Sequence, residues 1–374
     1  MAASIQTEQK GVPYAAAVKR VLIYRLGSLG DTVVALPALH VLRRAYPQAE
    51  RRMLTNIPVH AKAPAAAAVL GDSGLAHGYI QYPIRLRNPA EIARVWRKVR
   101  QFRPDLLAYL APGRTDEAIR RDLRFFRLCG IRRVVGLLDS ESACNQSLGN
   151  GWYESEAARL LRAVRTIGEA DVNDLRSWDL RLTDAERQKA ETWLAPLAGR
   201  AVIACGPGTK MQAKDWGQDR WQALLGRLSR ETLPEHGLVL VGAREEAEIA
   251  NAAAAEWRGP VANLCGKLTP RETAAALARA ELFLGPDSGP MHLAAAQGVP
   301  CAIAFAAIDL RGRWFPVGTM HRPVYHAVEC AVCRLEVCVE KQKVCTTSIT
   351  VEEMFAAAVE AWKNGQRQRV EATA

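Results

Sequence analysis

Short apolar runs and longer amphipathic stretches alternate along most of this chain, the pattern of buried strands separated by helices packed on their faces. Residues 20–24 read as a first buried strand, Gly27-Ser28-Leu29-Gly30 as a turn, and Asp31 as the start of a helix running to about residue 46, with Pro37 near its first turns or at a kink. From 53 to 138, apolar runs such as 106–110 alternate with charged helical stretches at 90–102 and 116–129. Thr115 caps the second helix, Asp116 and Glu117 fill its first turn, and Gly130 ends it.

Between about 151 and 194 the pattern changes to a helix, a polar stretch at 171–179, and a helix opened by Thr183-Asp184-Ala185-Glu186, which marks a linker. A second series follows: strand 201–204, loop 206–210, helix 216–228, strand 238–241, helix 242–257, an apolar run at 261–264 and a helix over 271–280. It continues with a strand at 282–284 broken by Gly285 and Pro286, a helix beginning at His292 and ended by Gly298-Val299-Pro300, and a strand at 301–305. A final amphipathic helix covers 351–363. The two series predict an α/β protein with parallel sheets: a loose leader over 1–18, one domain over 19–180, a second over 181–350, and a C-terminal helix and tail over 351–374.

Length agrees with that division, since 374 residues exceed the usual size of one core. No apolar run approaches the ~20 residues that span a bilayer, and the first nineteen residues lack the apolar core of a signal peptide, so a cytoplasmic location is expected. Charge adds more. The net +11 is uneven: between Arg85 and Arg133 there are fourteen Arg or Lys against five Asp or Glu. Arg120, Arg121, Arg124 and Arg127 share a helix at spacings that put several on one face, which suits an anionic surface, unless it is merely a solvated basic face. Few aromatics interleave with these bases and no nucleic-acid module is recognisable, so an anionic membrane is the expected partner and nucleic acid is not.

Three stretches carry candidate chemistry. Gly27 to Gly30 is a G-x-x-G and not the dinucleotide fingerprint; Asp31 after it is either a helix cap or a general base at the carboxyl end of a first strand. The corner Gly285-Pro286-Asp287-Ser288-Gly289-Pro290-Met291-His292 joins a strand to a helix N-terminus, where unpaired N–H groups favour a phosphate; Asp287 or Ser288 acting as a cap is the alternative. Cys330, Cys333, Cys338 and Cys345 form a compact C-x₂-C-x₄-C-x₆-C run. They are either thiolate ligands of a structural zinc or iron or ordinary reduced thiols.

Four motifs in register over about 20–360 resemble the ADP-heptose:lipopolysaccharide heptosyltransferases, glycosyltransferase family 9, which have the GT-B fold of two Rossmann-like domains with a cleft between them. They are residues 20–31 with Leu36-Pro37-Ala38-Leu39; Gly206-Pro207-Gly208-Thr209 with Lys214-Asp215-Trp216 and Trp221; Gly242-Ala243-Arg244-Glu245-Glu246; and Asp287-Ser288-Gly289 with His292-Leu293. Gly217 stands where the family usually has proline.

The resemblance implies an inverting, metal-independent transferase, peripheral on the inner membrane, that moves a sugar, heptose from ADP-heptose, to a lipopolysaccharide core or similar glycan. Asp31 would be the catalytic base. Thr209, Lys214, Asp287, Ser288, Gly289 and His292 would surround the donor's diphosphate and sugar, and Glu246 its nucleoside. Lys214 and the helix terminus after Asp287 would offset the leaving-group charge without Mg²⁺, a task Lys210 could share unless it is a solvated loop lysine. No motif identifies the acceptor. The alternatives are a nucleotide-sugar or anionic-lipid binding protein without turnover, and a family member that glycosylates a protein.

Overall fold

A computed structural model describes residues 6–7, 18–57, 64–83 and 88–373. The chain divides into two units, Met1–Leu180 and Arg181–Ala374. The first contains β1 (Gln6–Thr7), β2 (Arg20–Tyr24), β3 (Glu50–Asn56), β4 (Gly78–Tyr82), β5 (Leu106–Tyr109), β6 (Arg133–Gly136) and a small hairpin of β7 (Ser147–Gly149) and β8 (Trp152–Tyr153). Its helices are α1 (Leu29–Val33), α2 (Leu36–Ala45), α3 (Ala66–Leu70), α4 (Pro89–Phe102), α5 (Asp116–Leu128), α6 (Ser140–Ala143) and α7 (Glu156–Val164). The second unit holds β9 (Val202–Cys205), β10 (Gly237–Leu240), β11 (Val261–Asn263), β12 (Ala280–Pro286), β13 (Cys301–Phe305) and β14 (Arg322–Tyr325). It also holds α8 (Asp184–Leu194), α9 (Gln218–Glu231), α10 (Ala247–Ala253), α11 (Pro270–Leu277), α12 (Gly289–Ala296), α13 (Val344–Thr347) and α14 (Val351–Thr373).

Each unit is built on a six-stranded parallel sheet. In the second the order is β11-β10-β9-β12-β13-β14, the doubly wound order in which the chain runs outward from β9, returns to β12 and runs outward the other way. In the first the order is β4-β3-β2-β5-β6-β1, the same scheme with the short N-terminal strand at the far edge. Most of the leader over 1–18 lies outside the described residues, but Gln6–Thr7 pair with Arg133 and Val134 of β6. Central strands such as β5 and β9 are buried at every residue because helices cover both faces, hence their unbroken Leu, Ile, Val and Ala runs. The order fixes where chemistry can occur. Ligands of such sheets bind beyond the carboxyl ends of the strands where the winding reverses, here between β2 and β5 and between β9 and β12.

Several elements differ from the sequence expectation. The helix expected over 31–46 is two, α1 and α2, because Pro37 in the first turn of α2 has no N–H to continue the ladder from α1. Gly285 and Pro286 do not break their strand: both belong to β12, paired with Ile303 and Ala304, and α12 starts at Gly289, three residues before His292. The helix expected over 242–257 shortens to α10 after a 3₁₀ turn at Arg244–Glu246. Helix α14 runs ten residues past 363, and its apolar side (Met354, Ala357, Ala358, Ala361) joins the core of the second unit.

Candidate active site

In the first unit the reversal point presents the segment between β2 and α1. Gly27 has φ +127, in the region that only glycine occupies without strain, and a Cβ there would lie 2.2 Å from Asp31 Cβ and Cγ. The missing side chain lets the Asp31 carboxylate fold back over the turn, where Oδ2 accepts from the Ser28 backbone N–H at 2.9 Å. The Asp31 side chain remains 33% exposed, so a substrate can reach the carboxylate. Asn56, at the end of β3, fixes the turn from the other side: its Oδ1 accepts from the Gly27 N–H at 2.7 Å. Asp31 is thus the third residue of α1: Ser28 holds the N-cap position, and the Asp31 carboxylate completes a capping box with it.

Nearby at the strand ends lies a polar cluster absent from the sequence reading. The Tyr24 and Tyr82 hydroxyls are 3.0 Å apart, Tyr109 donates to Asp122 Oδ2 at 3.0 Å, and Arg114 meets the same oxygen at 2.5 Å. Burial raises all three tyrosine pKa values, so these phenols stay protonated and act as hydrogen-bonding groups.

In the second unit the loop after β9 and the corner after β12 meet. Lys214 Nζ is 2.5 Å from Asp287 Oδ2, and both side chains are largely buried. Asp287 is followed by Ser288, the residue before α12, whose buried Oγ has no hydrogen-bond partner among the described residues, then by Gly289 and Pro290 in the first turn. His292, buried on α12, sets its ring edge-on to Trp314 at 6.2 Å, and the Trp314 indole N–H donates to Asp309 Oδ2 at 2.8 Å. Glu246 occupies a cradle left by two glycines. A Cβ on Gly208 would lie 2.5 Å from its Cδ and one on Gly242 2.6 Å from its Oε2, and that oxygen accepts from the Ala243 N–H at 2.6 Å. Burial first, and the Glu246 carboxylate second, push the Cys265 thiol beside it up to about 12, so it stays neutral. Thr209 is half-buried, its Oγ1 accepting from the Met211 N–H at 3.3 Å, and Lys210 is exposed.

The turn at Gln212–Lys214 is held by the cysteine-bearing segment. Ala213 N–H donates to Glu336 O at 3.0 Å, Cys338 N–H to Gln212 Oε1 at 2.8 Å, Thr346 Oγ1 to Ala213 O at 3.0 Å, and Lys343 Nζ to Asp215 Oδ2 at 3.0 Å. Cys338 and Cys345 are buried with Ala213, Ala306, Ala307 and Ile308 in a small apolar cluster, while Cys330 is half-buried and Cys333 exposed. Among the described residues no three His, Cys, Asp or Glu side chains are placed to hold a metal, so the four sulfurs form no shell in this conformation. Arg120, Arg121 and Arg124 lie on the exposed face of α5, opposite buried Ile119, Leu123 and Phe126.

The family model for glycosyltransferase family 9 (heptosyltransferase) matches residues 155–344. The chain belongs to that family. No curated protein matches the sequence. Solved structures similar to it include a family 9 glycosyl transferase from Veillonella parvula DSM 2008, at 18% identity and a TM-score of 0.71 over 95% of this chain and 99% of that one. The E. coli ADP-heptose lps heptosyltransferase II gives 16% and 0.64 over 93% and 99%. E. coli heptosyltransferase WaaC with ADP-2-deoxy-2-fluoro heptose gives 17% and 0.57 over 95% and 100%. The family 9 chain has the GT-B type of fold, two Rossmann-like units, and is a glycosyltransferase. Gly217, the departure from the usual proline, has φ +106, and its N–H donates to Asp215 Oδ1 at 3.1 Å; proline could supply neither.

Proposed function

We propose that this family 9 enzyme transfers heptose from ADP-heptose to a glycan of the lipopolysaccharide core, with inversion. The observation that carries the reading is that Asp31 on one sheet, and the Lys214–Asp287 pair on the other, both follow strands at the reversal points. In this reading Asp31 takes the proton of the acceptor hydroxyl through Oδ1, since Oδ2 is held by Ser28. The acceptor oxygen bonds to the anomeric carbon as the carbon–oxygen bond to the diphosphate breaks, and ADP leaves with the bonding electrons. The Lys214 ammonium, the N–H groups opening α12, Ser288 Oγ and His292 meet the charge that grows on the diphosphate, while Asp287 holds Lys214 in place. Thr209 and Gly289 border the same diphosphate and sugar, and Glu246 in its glycine cradle takes the nucleoside. Lys214 supplies the positive charge that a divalent cation would otherwise bring, so no metal is assigned to the transfer.

The acceptor is lipid-anchored in this reading, and the enzyme works as a peripheral protein at the cytoplasmic face of the inner membrane. What supports it is the exposed basic face of α5 and α4; among the described residues no helix is long and apolar enough to cross a membrane.

The test is ADP release from ADP-heptose with and without heptose-free lipopolysaccharide. Acceptor-dependent release that Asp31→Asn lowers by roughly 10² to 10⁴ is expected, the usual worth of a positioned base. ADP-heptose binding without release would leave a binding protein, and release at the wild-type rate in Asp31→Asn would remove the base.

A further inference from the structure

We propose that Arg25 is a positioning residue for the Asp31 carboxylate; the inference rests on the reading of Asp31 as the base. Arg25 follows β2 directly and its side chain is only 2% exposed. Nε and Nη2 both donate to the Asp31 carbonyl, at 3.2 and 3.0 Å, and Nη2 lies 3.9 Å from Asp31 Oδ1. Nη1 donates to Leu110 O, just past β5, at 3.1 Å and to Glu156 Oε1, on α7, at 3.0 Å. One rigid planar group therefore ties the residue that carries the carboxylate to a neighbouring strand end and to a helix far along the chain.

The neighbouring groups show what distinguishes this arginine. Glu156 is fully buried and also meets Arg159, which donates to its two oxygens at 2.7 and 2.9 Å and reaches Ala111 O and Ala143 O at 3.1 and 3.2 Å. Two guanidinium groups therefore converge on the Glu156 carboxylate, and Arg25 is the one of the two that also faces Asp31. Its two bonds to the Asp31 carbonyl are the contacts that its removal would cost that residue, besides those to Leu110 O and Glu156 Oε1.

Arg25→Met, Arg25→Lys and Asp31→Asn are compared in the full chain for kcat and donor KM, with ADP-heptose and heptose-free lipopolysaccharide, and for ADP affinity. A misplaced catalytic group costs up to about 100-fold. The expectation is that Arg25→Met loses roughly 10- to 100-fold in kcat with ADP affinity and donor KM within about twofold, and that Arg25→Lys recovers part of the loss. Wild-type kcat in Arg25→Met overturns the proposal, and so does a loss carried by KM. If Arg25→Met does not fold, Arg25→Lys decides: reduced kcat at unchanged KM supports positioning, and wild-type kcat overturns it. Should Asp31→Asn keep its turnover, the base reading has failed; should Asp31→Asn be inactive while Arg25→Met is fully active, only the positioning role has.

Discussion

At the scale of the residue, the absence of a side chain at Gly27 decides where the Asp31 carboxylate can sit. Gly27→Ala would press a Cβ against Asp31 at 2.2 Å and strain a backbone at φ +127, so either the turn or the carboxylate must move. Turnover should fall at least tenfold while ADP affinity, proposed to reside on the other sheet, is retained; equal turnover would show the carboxylate position to be unimportant. Lys214→Ala tests the proposed donor side instead. It removes charge-assisted contacts worth about 1.5–3 kcal/mol, roughly 10- to 150-fold in Kd for ADP by calorimetry. It also leaves buried Asp287 without its cation, so the unliganded protein should melt lower as well. His321 tests a different term: burial lowers its pKa from 6.5 to about 4, so the folded chain holds it neutral. Its contribution to stability is complete above pH 6.5 and is lost as pH falls from there toward 4; denaturation of His321→Leu at pH 7 and 4.5 should show a smaller acid loss than wild type. Of these residues Asp31 and Asp287 stand out in the sequence because each lies beside a glycine and a strand end, and Lys214 and Glu246 because the family resemblance points to them. Arg25 does not, since its meaning depends on Glu156, 131 positions away.

At the scale of the element, local signals were readable where the chain's own neighbours set the structure. Thr115 caps α5, with its Oγ1 accepting from Ala118 N–H, and β13 covers the apolar run at 301–305. They were not readable where tertiary pairing decides: β14 has no alternation to mark it and exists because it pairs with β13, and the hairpin of β7 and β8 straddles the start of the expected linker near 151. The cysteine run shows the same limit. Its spacing suits a metal, while its backbone and its side chains at Lys343 and Thr346 brace the Lys214 turn. Thr346→Val should therefore weaken ADP binding without touching a donor-contacting residue, and unchanged affinity would show the turn to be held by other means.

Helices α4 and α5 make a further prediction. Beside the arginines they expose Trp96 at 37% and Leu128 at 69%, and the Trp96 indole N–H is tied to Leu128 O at 3.1 Å with Arg100 over its ring. Bases near an anionic surface give about 1 kcal/mol each and are screened by salt, whereas an indole at the interface is not. Arg120→Glu with Arg124→Glu should abolish the salt-sensitive part of binding to anionic vesicles, and Trp96→Ala the residue left at high salt. Equal sedimentation with neutral vesicles would overturn this assignment.

At the scale of the molecule, each unit has a core of its own. In the second, Trp216, Trp221, Leu224, Leu238 and Leu282 pack with Met354 and Ala358 of α14, so the helix that the sequence division sets apart over 351–374 belongs to that unit's stability. In the first, Leu22, Leu107, Val99, Ile119 and Phe126 close one face of the other sheet. Independent cores predict two thermal transitions in calorimetry. ADP should raise only the one belonging to the second unit, by RT ln(1 + [L]/Kd), because its proposed binding groups from Thr209 to His292 all lie there. At a hundredfold excess over Kd that is about 2.7 kcal/mol, large enough to separate the transitions further. Lys214→Ala should shrink the shift, and Asp31→Asn should leave it intact while turnover is lost. A single transition that moves as a whole would show the two cores to be coupled, and a shift confined to the first unit would place the nucleotide on the wrong sheet for this chemistry.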